Sequence, residues 1–280
     1  MRLEGARCLV TGCSSGIGRA TALAMAERGV TVIATARSLD SIEALRGPNL
    51  ETLRLDVTDA AGAEAAVAAS QPLDILVNNA GYGLEGAVEE VGDEELRLQY
   101  ETNVFGPWRL CRAVLPGMRA RGSGAIVNVS SVGGQVPFPG LGAYRSSKFA
   151  VEGLSWTLHF EVSHFGIRVL DVQPGLVASD FDSRSLKVAE AATPESPYEP
   201  MRRAADAVYP RMSPAAMAPE VVAAAIVAEL EKDRGPLRLR VGSDAERVLG
   251  AVAAGDEGYE RFLVDELGFS WHPAPPAERP

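Results

Sequence analysis

Tyr144 and Lys148 stand four residues apart in a Tyr-Arg-Ser-Ser-Lys run that begins thirteen residues after Ser131. Four-residue spacing places two side chains on one face of a helix. A phenol titrates near ~10, too high for efficient proton transfer at neutral pH. A neighbouring ammonium favours the ionised phenol, so the pair has the makings of a tuned general acid/base. Taken alone, the spacing also suits an amphipathic helix with a half-buried tyrosine and a solvated lysine. The elements around the pair must decide.

Short apolar runs alternate with helical stretches along most of the chain. Strands are expected at Cys8–Val10, Val30–Ala34, Glu51–Asp56, Leu73–Val77, Ala125–Ser130, Ile167–Val172 and Leu237–Val241. Helices are expected from Ile17 to Glu27, Ala60 to Ala69, Asp93 to Arg121 and from the Tyr144 region to His164, with Pro107 marking a bend in the third. Strands separated by helices predict an α/β fold: one doubly wound parallel sheet of about seven strands, covered by helices on both faces. The whole chain, 1–280, reads as a single domain. Two regions break the rhythm. Residues 182–219, rich in Ala, Pro, Ser and Met with no evident strand, read as a lid inserted after the sixth strand; residues 271–280 form a proline-rich tail.

The segment Thr11-Gly12-Cys13-Ser14-Ser15-Gly16-Ile17-Gly18 lies between the first strand and the first helix. In that setting glycines allow a tight turn and let the backbone meet a pyrophosphate at the positive helix end, whereas a glycine turn used only for geometry needs no such context. Ser14 and Ser15 are expected to donate to phosphates rather than act as nucleophiles, since no histidine stands in partnership. An acidic residue at the end of the second strand would bind a free ribose 2′-hydroxyl. Ala36 and Arg37 occupy that place, leaving room for a 2′-phosphate and supplying a guanidinium that matches it. NADP(H) is therefore expected over NAD(H).

With these pieces the chain resembles the short-chain dehydrogenase/reductase family from about Leu3 to Phe181. The resemblance rests on Thr11 to Gly18, Asp56-Val57, Asn78-Asn79-Ala80-Gly81, Asn103-Val-x-Gly106, Ser131, Tyr144, Lys148 and Pro174-Gly175, in that order. It implies that Tyr144 is the general acid/base and that Lys148 holds the nicotinamide ribose while shifting the tyrosine. Ser131 rather than Ser130 matches the carbonyl-orienting serine, and Asn103 the holder of a relay water. Asp56 and Val57 would line the adenine pocket; Asn78, Ala80 and Gly81 would steady the central strand and border the ribose. Pro174, Gly175, Val177 and Ser179 would fix the nicotinamide carboxamide. The implied activity interconverts a ketone and a secondary alcohol, with a cofactor-retaining epimerase or lyase as the alternative and a non-catalytic dinucleotide-binding protein behind it.

The wording of the glycine loop, Ala36-Arg37 and Ser147-Lys-Phe-Ala-Val-Glu-Gly153 is similar to the steroid and retinol dehydrogenase branch. That implies a lipophilic substrate of steroid, retinoid or polyketide kind, held by apolar groups such as Phe138, Leu141, Phe181, Leu186, Tyr198, Met201, Met212 and Met217. By the same resemblance a homodimer or homotetramer is expected. A formal charge of −10 argues against a dedicated nucleic-acid or anionic-membrane binder. No apolar run is long enough to span a bilayer, and no leader is evident before Cys8. Cys8, Cys13 and Cys111 lack metal spacing and read as reduced thiols of a cytoplasmic protein that needs no metal.

Overall fold

Ile75–Asn78 and Gly124–Val129 have no exposed position, as strands covered on both faces require. In the computed structural model, which describes residues 1–178, 186–212 and 216–271, they lie at the centre of a seven-stranded sheet. The chain runs β1 (Arg7–Val10), α1 (Gly16–Glu27), β2 (Thr31–Ala36), β3 (Leu50–Arg54), α2 (Ala60–Ala69), β4 (Ile75–Asn78) and β5 (Gly83–Glu85). It continues with α3 (Asp93–Tyr100), α4 (Gly106–Arg121), β6 (Gly124–Val129), α5 (Gly142–Val162), β7 (Ile167–Pro174) and β8 (Leu186–Val188). The last elements are α6 (Glu199–Asp206), α7 (Tyr209–Met212), α8 (Pro219–Glu231), β9 (Arg238–Val241), α9 (Ser243–Ala253) and α10 (Asp256–Arg261). The sheet order is β3-β2-β1-β4-β6-β7-β9, and every pairing is parallel. This is the doubly wound fold that the sequence predicts.

Strand alternation divides the core. Val10, Ile75 and Val77 face one layer with Met25, Val222 and Ile226; Leu9, Leu76 and Ile126 face the other with Leu110, Val114 and Leu158. β1 and the central β4 are neighbours whose chain continuations lead to opposite sides of the sheet, to β2 and to β6, opening a crevice at their carboxyl ends.

Three elements depart from the sequence reading. The helix expected from Asp93 to Arg121 is interrupted by a π-helical turn at Glu101–Phe105. Pro107 has no N–H to give the carbonyl of residue 103, and the wider turn accommodates that missing bond. Within 182–219, expected to lack a strand, Leu186–Val188 pairs in parallel with Gly83–Glu85 as a separate two-stranded sheet. Lys187 and Val188 are exposed, so β8 shows no apolar run. Residues beyond β9 form α9, α10 and a π turn at Phe262–Glu266, which build a third apolar cluster from Val248, Tyr259, Phe262 and Leu267 against Val132 and Val136. Ser179, Phe181 and the tail beyond Trp271 lie outside the described residues.

Candidate active site

The loop after β1 is tied to the loop after β4 by one threonine. Thr11 Oγ1 accepts the backbone N–H groups of Asn79 and Ala80, each at 2.9 Å, and Asn79 Nδ2 returns a 2.9 Å bond to the Thr11 carbonyl. Gly12 has φ +73°, and a Cβ there would lie 2.9 Å from Ala80 Cα. A Cβ on Gly18 would come within 2.4 Å of the Gly12 carbonyl oxygen, so this glycine permits close packing of the helix on the loop. Ser15, at the N-cap of α1, makes no side-chain cap, and the first-turn amides have no hydroxyl acceptor from it. Gly12, Ser14, Ser15, Gly16 and Ile17 all border a cavity of about 650 Å³. A glycine cradle at an uncapped helix N-terminus fits a dinucleotide pyrophosphate.

The cavity continues past Arg37, Asp56, Val57, Ala80 and Gly81. Asp56 Oδ1 accepts from the amide and hydroxyl of Thr58, at 3.0 and 2.8 Å, which fixes the turn after β3. Ser131, Tyr144 and Lys148 form the next part of the wall, followed by Pro174, Gly175 and Val177. Lys148 is buried; its Nζ donates to the Val129 carbonyl at 2.8 Å and sits 5.8 Å from the centre of the Tyr144 ring. Ser131 Oγ accepts the Gly133 amide at 3.0 Å, capping the short turn that leads towards α5. Ser130 borders the same cavity, but its buried hydroxyl has no partner among the described residues.

Three expected residues are placed differently from the rest. Asn78 is buried, with Nδ2 donating to Asn128 Oδ1 at 2.9 Å and to Cys111 Sγ at 3.4 Å. It braces β4 against β6 and α4 and does not border the cavity, where Asn79 stands instead. Gly18 also lies behind the loop. Asn103, in the π turn, is 2 % exposed: its Oδ1 accepts the Tyr82 amide at 3.1 Å, and its Nδ2 donates to the Tyr82 carbonyl at 2.9 Å and to Ser147 Oγ at 3.1 Å. Ser147 Oγ in turn donates to the Tyr144 carbonyl at 2.6 Å, so the asparagine links β5 to the turn of α5 that carries the tyrosine.

Sequence reasoning missed Asp244. Its Oδ2 accepts the Leu176 amide at 2.6 Å, and a Cβ on Gly175 would lie 2.1 Å from Oδ1. Glycine at 175 is thus demanded by a carboxylate almost seventy residues downstream, which no local pattern reveals. Burial pushes the Cys13 thiol up to about 12, with the Thr35 backbone and Arg19 pulling only partly against it. A thiol held protonated in this way is no nucleophile. All three cysteines are free and buried.

Residues 6–188 match the sequence model of the short chain dehydrogenases. A fungal relative, oxidoreductase BOA17 of Botryotinia fuckeliana, is 35% identical over 268 residues, covering 91% of this chain and 97% of its own. The 3-ketodihydrosphingosine reductase of Bacteroides thetaiotaomicron is 42% identical over 184 residues, covering 64% of this chain and 66% of its own. Among solved structures, a short-chain dehydrogenase from Streptomyces avermitilis superposes with a TM-score of 0.81 at 38% identity, over 94% of this chain and 98% of that one. A Burkholderia cenocepacia short chain dehydrogenase in complex with NADP gives 0.75 at 25% identity, over 95% and 99%. Fold and site thus define an α/β oxidoreductase of the kind that binds a nicotinamide dinucleotide. The chain belongs to the short-chain dehydrogenase/reductase family. Among the described residues no helix is long and apolar enough to cross a membrane.

Proposed function

We propose that this protein is an NADP(H)-dependent oxidoreductase that interconverts a ketone and a secondary alcohol on a lipophilic substrate of steroid, retinoid or polyketide type. One observation carries the reading: Ser131, Tyr144 and Lys148 share one cavity with the glycine loop and with the apolar groups Val136, Phe138, Met212 and Phe262. The bound nicotinamide supplies or accepts the hydride, and the side chains of this chain handle orientation and the proton.

In the reducing direction Ser131 and Tyr144 hydrogen-bond the substrate oxygen, and Tyr144 delivers its phenolic proton as negative charge develops there. Lys148 holds the nicotinamide ribose from its seat on the Val129 carbonyl. Asn103 positions the Tyr144 turn through Ser147 and serves the proton relay. Gly12, Ser14, Ser15, Gly16 and Ile17 hold the pyrophosphate; Gly18 lets the helix approach; Asp56 and Val57 take the adenine. Ala80 and Gly81 border the ribose, with Asn78 bracing the strand behind them, and Pro174, Gly175, Val177 and Ser179 take the carboxamide.

The preference for NADP(H) rests on Arg37, exposed at the cavity beside the buried Ala36 where an acid would otherwise bind the 2′-hydroxyl. The Burkholderia structure with NADP agrees, whereas a 26% identical 3-ketoacyl-(acyl-carrier-protein) reductase from Brucella melitensis is complexed with NADH. The relative named for 3-ketodihydrosphingosine reduction supports a lipid-like ketone. The chain works as one domain, residues 182–219 covering the substrate, and assembles as a homodimer or homotetramer in the cytoplasm.

A panel of lipophilic ketones and alcohols followed by NADPH or NADP absorbance tests the activity. Ketone-dependent oxidation of NADPH is expected. Absence of cofactor turnover throughout the panel, or product formed with no external cofactor, would overturn it in favour of an epimerase or lyase.

A further inference from the structure

The cavity is lined by a guanidinium that the reaction does not use. Arg145 follows Tyr144 on α5 and lies over the turn after Ser131, where Gly133 makes room for it: a Cβ at 133 would lie 2.9 Å from Arg145 Cδ and 3.0 Å from Nη1. Its guanidinium carbon is 5.7 Å from the centre of the Phe138 ring, which also borders the cavity. The hydrogen bonding is thin. Nη1 reaches the Val136 carbonyl at 3.4 Å, and the buried Nε has no partner among the described residues.

The charge is not neutralised either. Burial lowers the Arg145 pKa, and the groups that oppose this are the phenols of Tyr259 and Tyr144. No carboxylate among the described residues pairs with it. Arg202, another cation on the cavity, shows the contrast: Glu90 and Glu199 both bind its guanidinium. An arginine keeps its proton even when partly buried, so a cavity-lining guanidinium with no counter-ion among the described residues calls for an anion from elsewhere. In the proposed reading the pyrophosphate and 2′-phosphate of a dinucleotide already have partners in the glycine loop and Arg37. What remains for Arg145 is the substrate.

We propose that Arg145 is a specificity-determining residue that anchors an oxyanion, a carboxylate in the first instance, on the lipophilic substrate while Tyr144 and Ser131 hold its carbonyl. The proposal deepens the ketone–alcohol reading and rests on it for the identity of the reacting group. The substrate class becomes a lipophilic oxo or hydroxy acid. Phe138 shields the pair from water and adds a cation–π contact to the same guanidinium. A charge-assisted, two-point contact in a desolvated site is worth about tenfold or more in affinity.

Binding and turnover test it separately. Octanoate and methyl octanoate are titrated into the full chain saturated with NADP⁺, with wild type, Arg145→Met and Arg145→Lys in parallel. Octanoate should bind wild type about tenfold or more tightly than its ester. That ratio should fall to about one in Arg145→Met and survive in part in Arg145→Lys, which keeps the charge if the methionine variant fails to fold. Straight-chain oxo acids and their methyl esters, assayed with NADPH, should show the same Arg145-dependent preference in kcat/KM. Equal binding of acid and ester by wild type, or an acid preference unchanged in Arg145→Met, overturns the role of Arg145. A panel without any turnover overturns the reductase reading, while the octanoate titration still decides this one.

Discussion

Thr11 and Asn79 hold each other reciprocally: the threonine hydroxyl accepts the asparagine amide, and the asparagine side chain donates to the threonine carbonyl, both at 2.9 Å. Thr11 is 1 % exposed, and its hydroxyl also accepts from Ala80 and donates to the Val77 carbonyl. This clasp fixes the two edges of the crevice at the sheet's switch point. Thr11→Val keeps the shape and strands two amides, which costs about 2 kcal/mol or more and a fall of ~5 °C in Tm. It should also weaken dinucleotide binding. Thr21→Val is the control, because its buried hydroxyl has no partner to lose among the described residues and its removal should be nearly neutral. Equal melting shifts in the two variants would refute the clasp.

Tyr144→Phe removes one oxygen from the cavity wall and leaves Lys148 on the Val129 carbonyl. Turnover should fall by about 10²–10⁴-fold while the dinucleotide dissociation constant changes little. Fluorescence titration beside steady-state kinetics reads both. A variant that retains wild-type kcat removes Tyr144 from the chemistry.

The sheet and the glycine-loop side of the cavity were legible because their signals are local. Apolar runs such as Ile75–Val77 declare buried strands, and a glycine loop between strand and helix declares its own geometry. Other features depend on distant partners. The identity of the cavity-facing asparagine, 79 rather than 78, is set by the turn after β4, where strand alternation no longer applies. The strand Leu186–Val188 exists through its pairing with Gly83–Glu85, and two of its three residues are exposed. Tyr259 borders the cavity and donates to the Pro137 carbonyl, 122 residues away in the chain. Tertiary packing makes these contacts, and no window of sequence contains both partners.

Arg37 lies at the exposed end of β2 beside Ala36, with its carbonyl accepting from Arg54 Nε at 3.2 Å. Arg37→Asp would exchange a phosphate partner for a hydroxyl partner. The kcat/KM for NADPH should drop about ten- to a hundredfold and that for NADH should rise. Comparable efficiency with both cofactors in the wild type would refute the preference.

Asp171 on β7 is pushed up to about 9, first by burial and then by Glu152, with Arg238 and Lys148 pulling against the shift. Gln173 Nε2 donates to both oxygens of Glu152, at 2.9 and 2.8 Å, and Arg238 reaches the same carboxylate at 3.2 Å. The folded state therefore keeps a proton that an unfolded aspartate loses near ~3.9. Its contribution to stability is complete below that pH and disappears as pH rises through about 9, with a slope of at most ~1.4 kcal/mol per unit. Asp171→Asn can still donate to Glu152 without titrating, so its stability should depend less on pH across that window. Denaturant melts at several pH values measure the slope, and an unchanged slope would locate the proton elsewhere.

Phe149, Trp156 and Phe160 stand seven and four residues apart on α5 and are 46%, 51% and 71% exposed. They form one stripe at helical spacing, and Trp108 on α4 is 54% exposed. Aromatic surface of this extent is the mark of a protein–protein contact. In the proposed homo-oligomer a second copy would cover this stripe. A truncated aromatic anchor at such an interface costs about 2 kcal/mol, or thirtyfold in dissociation constant. The wild type should therefore sediment as a dimer or tetramer, and Phe160→Glu should shift it towards monomer. Phe160 lies four turns beyond Tyr144 and outside the cavity, so the variant should bind dinucleotide as the wild type does, separating assembly from the site. A wild type that sediments as a monomer at tens of micromolar would leave the stripe without this role.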